Sequence, residues 1–178
     1  IPTYNRKEYL QQAIASCFAG NEAIDVEVVV VDDGSTDGTR EWLSQYQDDR
    51  VIPVYQDHQG APAARNNGIE KASSKYIKFL DDDDKLVSGA LQAQLNQLIH
   101  LKERDPLGIV YGNEYRYYRN PDQAFLHRYP KKENDETDID YLNRVMLQTS
   151  TPLHQKCLLD QIGGFDEELP FRQEKDLH

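Results

Sequence analysis

Four consecutive carboxylates, Asp81-Asp82-Asp83-Asp84, follow directly on the mostly apolar run Tyr76-Ile77-Lys78-Phe79-Leu80, so one strand delivers an acidic cluster to one turn. Like charges this close repel each other. At neutral pH the cluster must be well solvated or share a cation, and the carboxyl end of a strand is where open α/β sheets bind ligands. Asp81 and Asp83 are one residue apart and can aim at the same side of an extended turn. Hard oxygen donors with room for water suit Mg²⁺ or Mn²⁺. A solvated acidic turn capping the next helix is the competing reading, and the tetrad by itself does not choose between them.

Two further groups bear on that choice. Asp32-Asp33-Gly34-Ser35 ends the β-branched run Val26 to Val31, and Tyr4 ends the opening segment Ile1-Pro2-Thr3. If these strands are parallel, an aromatic ring and several carboxylates meet at one edge, which favours a ligand site over unrelated acidic turns. The sequence carries no G-x-x-x-x-G-K-[ST] and no G-x-G-x-x-G. A phosphate-bearing ligand would then be held through the cation, helped by Arg65. Arg65 has a second reading as the ion-pair partner of an aspartate.

The elements that must position these groups are legible from periodicity. Asn5 and Glu8 resemble a capping box, and Leu10, Ala13, Ile14 and Cys17 recur at helical spacing, which predicts a helix over residues 6–19. Val26 to Val31 reads as a strand buried on both faces. Thr36 or Asp37 starts a helix through Trp42, Leu43 and Tyr46, and Val51 to Tyr55 is the next strand. Residues 61–71 form a helix that tolerates Pro62 in its first turn. The tetrad's own strand follows, and Ser88 caps a helix carrying Leu91, Leu95, Leu98 and Ile99. This alternation implies β-α-β crossovers and a mainly parallel sheet.

The pattern changes after Gly108. Residues 109–111 and 114–118 read as strands, residues 120–140 as an exposed polar excursion, 141–148 as a helix, 151–154 as an edge strand and 156–162 as a helix stopped by Gly163-Gly164. His154 and the tyrosines Tyr111, Tyr115, Tyr117 and Tyr118 could line an acceptor site, but packing explains such residues as well. Trp42 reads as core.

Composition limits the partners. The 178 residues suit one domain with a sizeable core. Thirty-one acidic against twenty basic side chains give a net charge of −11, which argues against a nucleic-acid partner. Cys17 and Cys157 read as buried free thiols, in keeping with a reducing compartment and a cytoplasmic location, with peripheral membrane association left open. No apolar run approaches the length of a membrane span. Both ends read as cut, the first in mid-strand and the last inside a helical pattern.

Taken in order, Ile1-Pro2-Thr3-Tyr4-Asn5-Arg6, Val29-Val30-Val31-Asp32-Asp33-Gly34-Ser35-Thr36-Asp37, Ala64-Arg65-Asn66-Asn67-Gly68-Ile69 and Phe79-Leu80-Asp81-Asp82-Asp83-Asp84 resemble glycosyltransferase family 2, and Gly163-Gly164-Phe165-Asp166-Glu167 extends the likeness. The resemblance implies a GT-A fold, α/β with a mainly parallel Rossmann-like sheet flanked by helices. It divides the chain into a nucleotide-sugar-binding half, residues 1–105, and a smaller, mixed acceptor-side part, residues 106–178. It further implies inverting transfer from a UDP-, dTDP- or GDP-sugar to a glycan, lipid-linked or protein-linked acceptor.

Carried over by position, Pro2, Tyr4, Asp32, Asp33, Arg65, Asp81 and Asp82 would face the nucleotide-sugar. The tyrosine ring would stack on the base, and one of Asp32 and Asp33 would accept a base N–H. Asp81 and Asp83 match the D-x-D, with Asp83 as the metal ligand and Asp82 at the variable position, while Asp84 caps the turn. The family's base lies in a Glu-Asp pair near a helix start. Here that stretch reads Gln173-Glu174-Lys175-Asp176-Leu177. The departure leaves Glu174 as the expected base and Asp176 as its fallback, and a first-turn acid also has a purely electrostatic explanation.

Two rivals remain at this level. A sugar-1-phosphate nucleotidylyltransferase should carry a Gly-rich basic loop after its first strand, where this chain has Tyr4-Asn5-Arg6-Lys7-Glu8. A non-catalytic nucleotide-sugar-binding module would fit the altered Gln173-Glu174 pair, and would bind donor without transferring sugar.

Overall fold

The computed structural model describes residues 1–102, 110–116, 125–128 and 148–168. The first half alternates strand and helix: β1 (Pro2–Thr3), α1 (Lys7–Phe18), β2 (Val28–Asp33), α2 (Thr39–Ser44), β3 (Val51–Gln56), α3 (Ala61–Lys71), β4 (Tyr76–Lys78) and α4 (Ala90–Lys102). The rest contributes β5 (Val110–Tyr111), β6 (Glu114–Arg116), β7 (Phe125–His127), β8 (Pro152–Gln155) and α5 (Lys156–Ile162). β1, β2 and β3 form a parallel sheet in that order, with Thr3 beside Asp32 and Asp32 beside Tyr55.

β2 occupies the centre because its valines are apolar on both faces, as a covered parallel strand requires. Leu10, Ala13, Ile14 and Cys17 of α1 pack with Val28, Val30, Leu43, Val51 and Leu80 in the main core. Their spacing puts them on one helix stripe. Trp42 is partly buried against this core. α3 crosses β1 and β2, and Ile69, Ile77, Phe79 and Leu159 make a second cluster. The result is an α/β architecture with a parallel sheet flanked by helices.

Several local expectations change. The strand expected over residues 26–31 is shifted to 28–33. It runs on through Asp32 and Asp33 because both carboxylates find donors, described below. The Asn5/Glu8 capping box does not form, since Asn5 takes a φ of 56° and its Oδ1 accepts the Thr36 N–H at 2.7 Å. Thr36 and Asp37 precede α2, whose N-cap is Gly38, and Asp37 Oδ1 accepts the Thr39 N–H at 3.0 Å.

β8 is not an edge strand. It lies between β4 and β5, antiparallel to both. Pro152 stands at its first position, where a missing N–H costs the ladder least, and the following positions are free to pair on both sides. Within the stretch read as an exposed excursion, β7 pairs antiparallel with β6. The helix expected over 141–148 falls almost wholly outside the described residues. Cys17 is buried and Cys157 exposed, so only one of the two thiols is in the core. No helix among the described residues is long and apolar enough to cross a membrane.

Two basic groups are held near the β4–β8 pair. Lys78 Nζ donates to Gln94 Oε1 at 2.9 Å and to the Thr151 carbonyl at 2.6 Å, and burial pushes its pKa down to about 7. His154, opposite Ile77 on β8, sits edge-on to Phe79 with centroids 5.6 Å apart. Burial, with the nearby Lys78 charge, lowers its pKa to about 4. The unfolded chain therefore binds a proton that the folded chain refuses, and stability falls as pH drops from about 6.5 toward 4. Thermal unfolding of His154→Leu should show a shallower acid slope than the parent, with a difference of at most about 3 kcal/mol across that window. Parallel slopes would show that His154 is not protected.

Candidate active site at the sheet edge

The carboxyl ends of β1 and β2 and the turn after β4 open onto one cavity of about 270 Å³, lined by Pro2, Thr3, Tyr4, Asp33, Arg65 and Asp81 to Asp83, with Arg6, His58 and Gly60 at its wall. β1 and β2 end on the same side because they are parallel strands of one sheet. The turn after β4, which pairs in a separate sheet with β8, is tied to them by the bonds of Asp82 to Thr3 and Arg6. Adjacent residues of a strand face opposite ways, and the Asp32/Asp33 pair illustrates this. Asp33 reaches the cavity. Asp32 is fully buried away from it, accepting Arg40 Nε at 2.9 Å and the Ser35 N–H at 3.2 Å.

Asp33 is held by four donors. Its Oδ1 accepts Gln56 Nε2 and the Gln59 N–H, both at 2.8 Å. Its Oδ2 accepts the Gly60 N–H at 2.8 Å and stands 2.9 Å from His58 Nδ1. The loop between β3 and α3 is therefore wrapped around this carboxylate. Tyr4, 42% exposed, lies at the cavity mouth with its ring against His58.

The tetrad splits into four environments. Asp81 Oδ1 accepts Arg65 Nη2 at 2.7 Å. Asp82 is buried, accepting Thr3 Oγ1 at 2.8 Å and Arg6 Nη1 at 3.1 Å. Burial raises its pKa against the downward pull of Thr3 and Arg6. It ties the tetrad turn to β1 and leaves its neighbours to face outward. Asp83 is exposed and takes the same Arg6 Nη1 at 2.7 Å. Asp84 Oδ2 accepts Ser150 Oγ at 3.0 Å, and its N–H donates to the Asp81 carbonyl at 3.1 Å, so it does close the turn.

Arg65 fulfils its structural reading and leaves something over. Its side chain is 2% exposed, yet Nε and Nη1 have no hydrogen-bond partner among the described residues. Buried donors without acceptors are uncommon and costly. The Asn66 beside it secures the Gly163-Gly164-Phe165 turn: Nδ2 donates to the Phe165 carbonyl at 2.9 Å and Oδ1 accepts the Phe165 N–H at 2.8 Å.

Whether a divalent cation fits can be judged from the donor set. Asp81 and Asp83 offer hard carboxylate oxygens on one turn, each already carrying a single arginine. No group of three or more potential ligands occurs among the described residues. Mg²⁺ commonly uses one or two carboxylates and completes its shell with water and phosphate, so the pair suits a cation that arrives with a phosphate ligand.

The expected bases Glu174 and Asp176 lie outside the described residues, as do Tyr117 and Tyr118. Arg6, Gln56, Gln59 and His58 were not singled out from sequence. Arg6 stood inside a recognised segment; nothing in the spacing of the others pointed to Asp33, because their approach depends on how one loop closes.

The chain is similar to several known proteins. An uncharacterized glycosyltransferase of Rickettsia prowazekii, RP339, is 32% identical over 185 aligned positions, covering 99% of this chain and 55% of that protein. The GalNAc(5)-diNAcBac-PP-undecaprenol beta-1,3-glucosyltransferase of Campylobacter jejuni is 36% identical over 117 positions, 64% of this chain and 36% of its own length. The crystal structure of Staphylococcus aureus TarS residues 1–349, solved also with UDP and with UDP-GlcNAc, superposes with a TM-score of 0.69 at 23% identity, over 99% of this chain and 51% of that one. The chain spans about half the length, or less, of the curated relatives it matches. The sequence pattern of Glycosyl transferase family 2 matches residues 1–157, and with the relatives' agreement the chain belongs to that family.

Proposed function

We propose that this domain transfers a sugar from a nucleotide-diphospho-sugar to an acceptor hydroxyl in polysaccharide or glycoconjugate assembly, with inversion at the anomeric carbon. The observation that carries the donor reading is Arg65: a buried guanidinium whose Nε and Nη1 have no acceptor among the described residues, in the wall of the cavity that also holds Tyr4, Asp33, Asp81 and Asp83. A diphosphate supplies the acceptors that guanidinium lacks. Family membership supports glycosyl transfer. The UDP and UDP-GlcNAc complexes of TarS, which shares the fold, support a nucleotide-sugar as donor. The name of the Campylobacter relative supports a lipid-linked glycan as one class of acceptor, and with it work beside a membrane.

In this reading Tyr4 stacks on the base, Asp33 receives a ring N–H, and Pro2 and Thr3 form the floor. Asp32 and Asp82 act from beneath, each fixing the backbone that carries a contacting residue. Asp81 and Asp83 would hold Mn²⁺ or Mg²⁺, which neutralises charge on a departing diphosphate when bound. Arg65 shares that load. A general base is still required, since a hydroxyl is a poor nucleophile until its proton leaves, and Glu174 fills that place with Asp176 as the alternative.

The test is product analysis. The full chain with UDP-sugars, Mn²⁺ and a panel of acceptors should yield glycoside, and Glu174→Gln should lower turnover by about 10²- to 10⁴-fold while donor binding persists. Undiminished turnover moves the base to another residue. Donor binding without transfer or hydrolysis by the unsubstituted chain would leave a binding module instead of an enzyme.

A further inference from the structure

The rings of Tyr4 and His58 are stacked, with centroids 4.2 Å apart and planes 27° from parallel. His58 Nδ1 lies 2.9 Å from Asp33 Oδ2 and 3.1 Å from the Asp33 carbonyl. Both neighbours only accept, so this nitrogen carries the hydrogen. A flat heteroaromatic ring therefore lies on Tyr4 and gives a ring N–H to Asp33. Those are the two contacts the donor reading assigns to the nucleobase.

The other three donors on Asp33 differ from His58. Two are backbone N–H groups of the loop, and the third, Gln56, is tied through its Oε1 to Asn67 Nδ2 at 2.9 Å. The His58 side chain is 57% exposed and reaches Asp33 from the solvent side. Rings this close leave no space for a third ring between them, since aromatic neighbours already stand about 4.5–7 Å apart. The base and the imidazole therefore exclude each other.

We infer that His58 is a built-in competitor of the nucleobase, seated on Tyr4 and Asp33 where a pyrimidine with a ring N–H, uracil or thymine, would sit, and rotating outward when the donor enters. The inference rests on the nucleotide-sugar reading above. It makes His58 a setter of affinity: the apparent association constant is the intrinsic one multiplied by the fraction of molecules with His58 unseated. It also favours uracil and thymine over cytosine, whose corresponding ring nitrogen accepts.

Titration calorimetry of the full chain with UDP and with CDP decides it. His58→Ala should tighten UDP binding about two- to tenfold, the range expected for one aromatic stack. His58→Phe keeps a ring without the N–H and should fall between. Imidazole added to His58→Ala should weaken UDP again. Both substitutions fall in an exposed loop residue, and thermal unfolding of each confirms the fold. Equal or weaker UDP binding by His58→Ala, or indifference to imidazole, overturns the inference and leaves the donor reading standing. UDP binding to neither parent nor variant takes down both.

Discussion

Asp83→Asn should remove Mn²⁺-dependent binding of a nucleotide-diphospho-sugar, weakening it at least about a hundredfold, because loss even of a residue behind a metal ligand commonly costs 10–100-fold. The substitution is sterically conservative and replaces a charged oxygen by an amide. Asp83 is exposed, with 39% of its side chain accessible, and its protein partner is Arg6, itself half exposed. An ion pair of that kind contributes about 0–1 kcal/mol to folding. Urea denaturation should therefore barely change while donor affinity collapses, which separates a lost ligand from a damaged fold. Calorimetry with and without Mn²⁺ measures it. If the metal-dependent part of the affinity survived, Asp83 would leave the ligand set and the tetrad would revert to a solvated turn.

Asp33→Asn should instead show in stability, with a loss of about 2–4 kcal/mol in urea denaturation at neutral pH. The carboxylate accepts from Gln56 and from the Gln59 and Gly60 N–H groups, with His58 beside it. An amide has one accepting oxygen where the carboxylate has two, so at least one backbone N–H must face an NH₂ group. Hydrogen bonds to a charged group contribute about 1.5–3 kcal/mol each, and a stranded buried donor adds its own cost. The side chain is 5% exposed, so water does not readily replace the lost acceptor. A change below about 0.5 kcal/mol would mean that the loop holds its shape without Asp33.

The difference between these outcomes reflects the tetrad and the Asp32/Asp33 pair as sequence could and could not describe them. That β2 ends in carboxylates and that the tetrad follows the run from Tyr76 is legible from composition and periodicity alone, although β4 itself stops at Lys78, short of the expected Leu80. The helices α1, α3 and α5 are also legible, since Leu10, Ala13, Ile14 and Cys17 mark one face, Pro62 lies in the first turn of α3, and Gly163 with its φ of 82° stops α5. Residues 151–154 read as an edge strand from sequence, whereas the neighbours of β8, β4 and β5, come from distant parts of the chain. The β6–β7 pairing was missed for the same reason: a polar stretch gives no local sign of the strand it will meet.

Residue order alone therefore determined the element types, the α/β class and the placing of Tyr4 and Asp33 at one edge, because apolar periodicity and strand polarity are local properties. The tetrad turn reaches that edge through the contacts of Asp82 with Thr3 and Arg6. Only the tertiary structure decided which carboxylate does what. Asp82 is turned inward onto Thr3 and Arg6 while Asp83 stays in water, and Asp32 faces Arg40 while Asp33 gathers a loop and the His58 ring. Four aspartates in a row are chemically identical on paper. Burial and the donors brought to each from elsewhere in the chain make them different, since a charge buried among donors is an anchor and a charge left in solvent stays available to a ligand.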